Sequence, residues 1–252
     1  MREIKIDEKL LRGAEFIRYE ECDSTNTRAR EYAREVGREA VFLADRQSAG
    51  RGRRGRSFLS ERGGIYISFL RFPSGEELDI AGITAKAAVL AARAIESATG
   101  IVADIKWVND LYLNGKKVAG ILTEGEFDEE GKLRYYVVGM GINVYKIRGF
   151  EEKMPVAATL SDYANCEINF DNLCGELIAA MRGESPSDSE LLSEYRRRCN
   201  LIGRCVTVHR GDEEYTATVL GVNDDYSLSV ETADGVRSLN SGEVSVVRLD
   251  AR

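Results

Sequence analysis

Histidine is almost absent from this chain of 252 residues, with His209 its single example. A Ser-His-Asp triad is excluded unless His209 itself serves, and a multi-histidine metal site is impossible. His209 falls in an expected strand near the C-terminus, far in sequence from the basic loop described below, and is read as structural. Cysteine is sparse and scattered. Cys22, Cys166, Cys174, Cys199 and Cys205 are odd in number and form no Cys-x-x-Cys pair. That argues against a disulfide framework or zinc site and suits a reducing cytoplasm with free thiols. No apolar run approaches the ~20 residues that span a bilayer. The start, Met1-Arg2-Glu3-Ile4-Lys5-Ile6-Asp7, lacks a signal-peptide core. No membrane partner is expected, and the chain is placed in the cytoplasm. Net positive charge is missing too: the formal charge is -7, against the basic footprint of nucleic-acid binders, so no DNA partner is expected. Neither an internal repeat nor a low-complexity segment is present.

Within this acidic chain, Gly50-Arg51-Gly52-Arg53-Arg54-Gly55-Arg56 alternates arginine and glycine, with Gln47 upstream and Phe58 downstream. Guanidinium groups are planar forks of donors that match carboxylate and phosphate. Glycine lets backbone approach an anion closely. The run reads as an anion-binding loop, a nucleic-acid patch or a solvated loop, and the overall acidity favours a small anion. Three further clusters carry both a plain and a chemical reading. Ser24-Thr25-Asn26 is a helix cap, or a set of polar groups aimed at a small ligand. Lys106-Trp107-Val108-Asn109-Asp110 with Lys116-Lys117-Val118-Ala119-Gly120-Ile121-Leu122 is a solvated hairpin, or a face of alternate residues turned to a ligand. Gly139-Met140-Gly141-Ile142-Asn143 is a bulge or close-packing signal, or part of a site.

Strands are expected at 16–20, 41–44, 65–70 and 105–108, with helices at 27–36, after capping by Asp23 to Asn26, and at 78–100. Asn114-Gly115 is a strong hairpin signal between strands 110–113 and 117–127. A second hairpin turns near Glu129-Glu130-Gly131, with 133–143 returning. The span 47–64 reads as a long loop without structure of its own, and such loops are usually functional or mobile. Further helices are marked by Phe170 to Met181 and Leu191 to Cys199. Beyond Gly203, short strands at 205–208, 216–220, 228–231 and 244–249 suggest a small β-barrel, with turns at Gly211-Asp212, Asn223-Asp224-Asp225 and Asp234-Gly235. The expectation is an α+β fold: a mixed or antiparallel sheet with helices packed on one side, then the barrel, divided near 186–202 into residues 1–200 and 201–252.

Together the four clusters resemble the biotin protein ligases. That family's pattern runs Ser-Thr-Asn, Gln, Gly-Arg-Gly-Arg-x-Gly-Arg, Lys-Trp-Pro-Asn-Asp, Lys-x-Ala-Gly-Ile-Leu and Gly-Ile-Asn, in the order found here. The resemblance covers about residues 16–250, including Ser238-Leu239-Asn240-Ser241-Gly242-Glu243-Val244. Two positions depart from it: Phe58 where Trp is usual, and Val108 where Pro is usual. The resemblance implies a class II synthetase-like catalytic domain followed by an SH3-like barrel. The implied activity joins biotin to ATP as biotinyl-5'-AMP, with Mg2+ on the pyrophosphate. Biotin then passes to a lysine of a biotin carboxyl carrier domain in a carboxylase or decarboxylase. By residue match, Arg53 and Lys117 clamp the biotin carboxylate and α-phosphate, and Asp110 serves the acceptor amine. Ser24, Thr25, Asn26 and Gln47 meet the ureido end, and Gly50, Arg51, Gly52 and Gly120 complete the biotin site. Arg51, Arg53, Arg56, Phe58, Lys106, Asn109, Lys117 and Asn143 face the nucleotide, and no side-chain metal site is implied. Twenty-three residues before Ser24 are too few for the winged-helix DNA-binding domain of some members, so a ligase-only form is expected. A lipoate protein ligase is the nearest rival, although its Gly-Gly-Gly segment and His-Asp pair are absent. A regulator that binds biotin or nucleotide without turnover is the rival of another class. Oligomeric state stays open, a homodimer included.

Overall fold

A computed structural model describes residues 4–73, 79–147, 149–210, 213–240 and 243–246. The elements run α1 (Glu8–Leu11), β1 (Glu15–Tyr19), α2 (Thr25–Glu35), β2 (Ala40–Ala44), β3 (Gly64–Arg71), α3 (Ile80–Thr99), β4 (Asp104–Lys106), β5 (Asp110–Leu113), β6 (Lys116–Phe127), β7 (Leu133–Asn143), α4 (Phe150–Lys153), α5 (Phe170–Arg182) and α6 (Asp188–Arg198). The C-terminal region adds β8 (Cys205–Arg210), β9 (Glu213–Val222), β10 (Leu228–Thr232), β11 (Gly235–Leu239) and β12 (Glu243–Val246). The expected helix start at Leu78, the turn Gly211-Asp212, the segment Ser241-Gly242 and the strand end at 247–249 lie outside the described residues.

Seven strands form one mixed sheet in the order β1-β2-β3-β7-β6-β5-β4, with β1 and β2 parallel and the other pairs antiparallel. The β5–β6 hairpin turns at Asn114 and Gly115, whose φ angles of 48° and 78° are the left-handed values an Asn-Gly turn supplies. Residue alternation then divides the sheet into two faces. Val41, Leu43, Ile67, Phe69, Val138, Met140 and Ile142 join α3 and α5 in the main core. Phe42, Leu70, Tyr135 and Val137 pack instead with Ala29 and Ala33 of α2. Helices therefore cover both faces, not the single face expected, because β2, β3 and β7 are apolar at odd and even positions alike. The alanine-rich flank of α3 lets it lie close to the sheet. Asp79 caps α3 by accepting from the Gly82 amide at 2.8 Å, and Gly100 ends it with φ 73°.

The C-terminal strands form a second, antiparallel sheet in the order β11-β10-β9-β8-β12. Among the described residues no ladder joins β11 to β12, so hydrogen bonding leaves this sheet open. Its apolar side, with Val206, Val208, Val219 and Leu228, continues the main core. Trp107 Nε1 donates to the Tyr226 carbonyl at 2.8 Å, and Tyr195 donates to the Val108 carbonyl at 3.1 Å. The Tyr195 and Tyr226 rings meet edge to face with centroids 5.4 Å apart. These contacts bring β8 to the rim of the cleft described next.

Candidate active site

A cleft of about 330 Å³ opens on the α2 face of the large sheet. Gly120 and Leu122 of β6 and Gly139 and Gly141 of β7 line its base, the N-terminus of α2 one side, and the arginine loop the other. The α2 terminus differs from the expected cap. The helix starts at Thr25, Ser24 occupies the N-cap with no side-chain capping bond, and the Thr25 amide donates to Gln47 Oε1 at 2.7 Å. A side chain 22 residues downstream thus satisfies a helix-terminal donor.

The floor is a connected polar network. Thr25 Oγ1 donates to Gln47 Oε1 at 3.1 Å, and Gln47 Nε2 donates to Ser60 Oγ at 2.9 Å. Ser68 Oγ lies 2.7 Å from Thr25 Oγ1 and 2.6 Å from Asn26 Oδ1. Asn26 Nδ2 donates to Glu124 Oε2 at 2.8 Å and to the Leu122 carbonyl at 3.3 Å. Thr25, Asn26, Ser60 and Ser68 are all buried, so their partners fix rotamers as well as satisfying buried donors and acceptors. Two glycines make the floor possible. A Cβ at Gly139 would stand 2.0 Å from Asn26 Oδ1, and one at Gly141 would stand 2.5 Å from Phe58 Cε1.

The opposite wall is cationic. The span expected to lack structure is a small ladder: Gln47 N donates to the Ser60 carbonyl, Phe58 N to Gly50, and Gly52 N to Arg56, at 2.9, 2.8 and 2.6 Å. Arg54 and Gly55 form its tip with φ 56° and 73°, so Gly55 meets a conformation that suits glycine. From this ladder Arg51, Arg53, Arg54 and Arg56 line the cleft, joined by Lys106 and Lys117. Arg53 Nη1 donates to Asn109 Oδ1 at 3.1 Å. Lys117 Nζ stands 2.7 Å from Asp110 Oδ1, an oxygen without a well-directed hydrogen bond among the described residues, so charge rather than direction holds this pair. A Cβ at Gly120 would sit 3.0 Å from Lys117 Nζ and 3.4 Å from Asp110 Oδ1, so glycine leaves room for the pair. The Lys117 ammonium also lies 5.9 Å from the Phe58 ring centroid, a cation–π contact that a phenyl ring still provides in place of the family's indole. The Trp107–Val108 peptide bond is cis.

Burial, then the Asp110 charge, pushes the Tyr112 hydroxyl up to about 12. Burial first, then Asp23, raises the Cys22 thiol to about 11. Neither group is an anion at neutral pH, and Cys22 is unsuited to nucleophilic work.

Of the expected site residues, Ser24, Thr25, Asn26, Gln47, Arg51, Gly52, Arg53, Arg56, Phe58, Lys106, Asn109, Asp110, Lys117 and Gly120 line this cleft. Gly50 and Asn143 do not. Gly50 is buried within the ladder, where a Cβ would meet Ser60 Oγ at 2.3 Å. Asn143 is buried at the end of β7 and donates from Nδ2 to the Ala158 carbonyl at 3.2 Å. The sequence reading missed Ser68 and Glu124. A lone hydroxyl in the apolar strand Ile65 to Leu70 was the available signal for the first. For the second it was the even-numbered parity that Glu124 shares with Gly120 and Leu122. His209, read as structural, reaches the cleft wall from β8, with Nδ1 3.1 Å from Glu214 Oε2.

The family model described as the biotin/lipoate A/B protein ligase family matches residues 19–143, and that for the biotin protein ligase C-terminal domain matches residues 201–247. The bifunctional ligase/repressor BirA of Bacillus subtilis is 28% identical over 243 residues, spanning 93% of this chain and 74% of that one. The biotin–[acetyl-CoA-carboxylase] ligase of Paracoccus denitrificans is 40% identical over 124 residues, 48% of this chain and 51% of that protein. Among solved structures, a biotin protein ligase from Aquifex aeolicus in complex with biotin and ATP matches with a TM-score of 0.77 and 28% identity, over 93% of this chain and 99% of that one. With both family models in register with the two sheets, and with the motifs lining one cleft, this chain belongs to the biotin protein ligase family.

Proposed function

We propose that this cleft activates biotin with ATP and transfers it to a carrier protein. The observation that carries the reading is one cleft joining a buried polar floor to a wall of six cations. In the first step a biotin carboxylate oxygen attacks the α-phosphorus, the α–β bridging P–O bond breaks, and pyrophosphate leaves. Two anions must approach each other, so Arg53 and Lys117 hold the carboxylate and α-phosphate while Arg51 and Arg56 support the other phosphates. Charge-assisted hydrogen bonds of this kind contribute about 1.5–3 kcal/mol each, and water exclusion strengthens them. Ser24, Thr25, Asn26 and Gln47 offer the polar groups for the ureido end. Lys106 and Asn109 serve the nucleotide.

No cluster of three or more acidic, His or Cys side chains among the described residues could hold a metal ion. Asp110 is the carboxylate in the cleft lining. That donor set fits Mg2+ carried on the triphosphate, where it would neutralise phosphate charge.

In the second step the ε-amine of an acceptor lysine attacks the mixed-anhydride carbonyl, the C–O bond to AMP breaks, and the amine loses a proton. Asp110 takes that proton once Lys117, its neighbour in the cleft, has turned to its anionic ligand. The acceptor is the lysine of a biotin carboxyl carrier domain in a biotin-dependent carboxylase or decarboxylase. The proposal also includes a cytoplasmic location and a catalytic unit at 1–200 with a C-terminal unit at 201–252. No helix among the described residues is long and apolar enough to cross a membrane.

ATP–pyrophosphate exchange tests the reading. Exchange is expected with biotin and lost in an Arg53→Ala/Lys117→Ala variant. Exchange with lipoate instead would move the chain to the lipoate branch. Ligand binding without exchange would make it a regulator.

A further inference from the structure

One carboxylate belongs to both halves of the cleft although it does not line it. Glu124 projects from β6, with its side chain 22% exposed. Its Oε2 accepts from Asn26 Nδ2 at 2.8 Å and from Arg51 Nη2 at 2.9 Å. Its Oε1 faces Arg30 of α2 at 3.6 Å. The same oxygen therefore orients a floor amide and tethers the second residue of the arginine run. Asn26 is held further by Ser68, and Ser68 touches Thr25, which bonds Gln47 at the base of the ladder. The loop is thus fastened twice to one network: at its foot through Gln47 and near its tip through Arg51.

We propose that Glu124 is the positioning residue that couples the biotin floor to the arginine loop, latching the loop over the cleft through Arg51 while it orients Asn26. The inference rests on the proposed function for its chemistry and on the contacts above for its geometry. Charge and acceptor geometry both count. Oε2 accepts from both donors with a full carboxylate charge behind it, whereas an amide oxygen in its place accepts without the charge that holds Arg51 and sets an NH2 donor against Arg30. Loss of the latch leaves the loop tied only at its foot through Gln47 and weakens the orientation of Asn26, so both substrates lose pre-formed contacts together.

The test uses full-length Glu124→Gln and Glu124→Asp, with Arg30→Gln as the control that removes the outer charge contacts to Glu124 and Glu126 and leaves those to Asn26 and Arg51. Two readouts are taken. The first is limited trypsin cleavage at residues 51–56 without ligand, which does not depend on what the cleft binds. Glu124→Gln is expected to be cut about fivefold faster than wild type, with Glu124→Asp intermediate and Arg30→Gln unchanged. The second is exchange kinetics, where Glu124→Gln is expected to raise KM for biotin and KM for ATP together by about fivefold to tenfold, with thermal midpoint retained. Unchanged cleavage, or a shift in one KM only, overturns the latch. Faster cleavage in a protein whose wild type gives no exchange with biotin keeps the latch and overturns the proposed function instead.

Discussion

The two sides of the cleft are built on opposite principles. The floor is buried, uncharged where it meets the ligand space, and satisfied in advance by Gln47, Thr25, Ser68 and Asn26 bonding one another. The arginine wall is exposed, cationic and carried on a ladder whose tip uses left-handed backbone. A preformed network that meets the ligand space with uncharged groups suits a rigid polar ligand whose recognition depends on geometry. An exposed cationic wall suits phosphates, whose charge is recognised by charge and whose leaving group must depart. The two ends of an adenylation site therefore obey different physics, and each can be broken separately.

Removing cations from the wall gives the largest expected effect. Lys117→Ala or Arg53→Ala should lower exchange kcat/KM by about 10²–10³-fold, as loss of one electrostatic donor at a developing charge does. A drop under threefold in steady-state exchange would contradict the clamp. Breaking the floor comes next. Gly139→Ala drives a Cβ into Asn26, which its partners hold in place, so KM for biotin should rise at least about tenfold, with overpacking costing about 1–3 kcal/mol of stability. Calorimetry and exchange kinetics read both. Salt sharpens the contrast without mutation: between about 0.05 and 0.5 M, KM for ATP should climb several-fold while KM for biotin moves less, because exposed charges are screened and buried dipoles are not. His209 gives a smaller effect. His209→Gln should raise KM for ATP about twofold and leave biotin alone, as expected for a half-exposed group at the rim.

Acid separates both sides from the scaffold behind them. Burial pushes the Glu39 carboxyl up, but the Arg182 hydrogen bond and the Arg71 charge outweigh it and leave it below the usual range. Glu194 behaves alike: burial raises it, and bonds from Arg93 and Arg198 lower it further than that. A depressed folded pKa means these pairs stabilise the protein above the unfolded value of 4.5 and cease to do so as pH falls through the folded one. The thermal midpoint should therefore fall by a few degrees between pH 5 and about pH 3, and Glu39→Gln should flatten that slope.

Much of this was legible in the sequence where physics is local. Asn114-Gly115 announces its hairpin because its residues tolerate positive φ, and α3 announces itself through apolar spacing over 20 residues. Other features depend on partners distant in sequence. The ladder inside 47–60 is closed by backbone pairing, with no apolar alternation to mark it. β11 was missed because Val236, Arg237 and Ser238 are exposed, so no buried period shows. Gly139 and Gly141 looked like a weak motif, since their purpose is space for Asn26 and Phe58 from other elements. Asn143, grouped with them by sequence, lies beyond the cleft because the strand carries it past the floor.

The division of labour is tested most directly by crossed exchange kinetics on Asn26→Ala and Arg56→Ala. The account predicts that Asn26→Ala raises KM for biotin by about tenfold and KM for ATP by less than about threefold, and that Arg56→Ala does the reverse. Parallel shifts of both constants in both variants would show one undivided site and contradict the account.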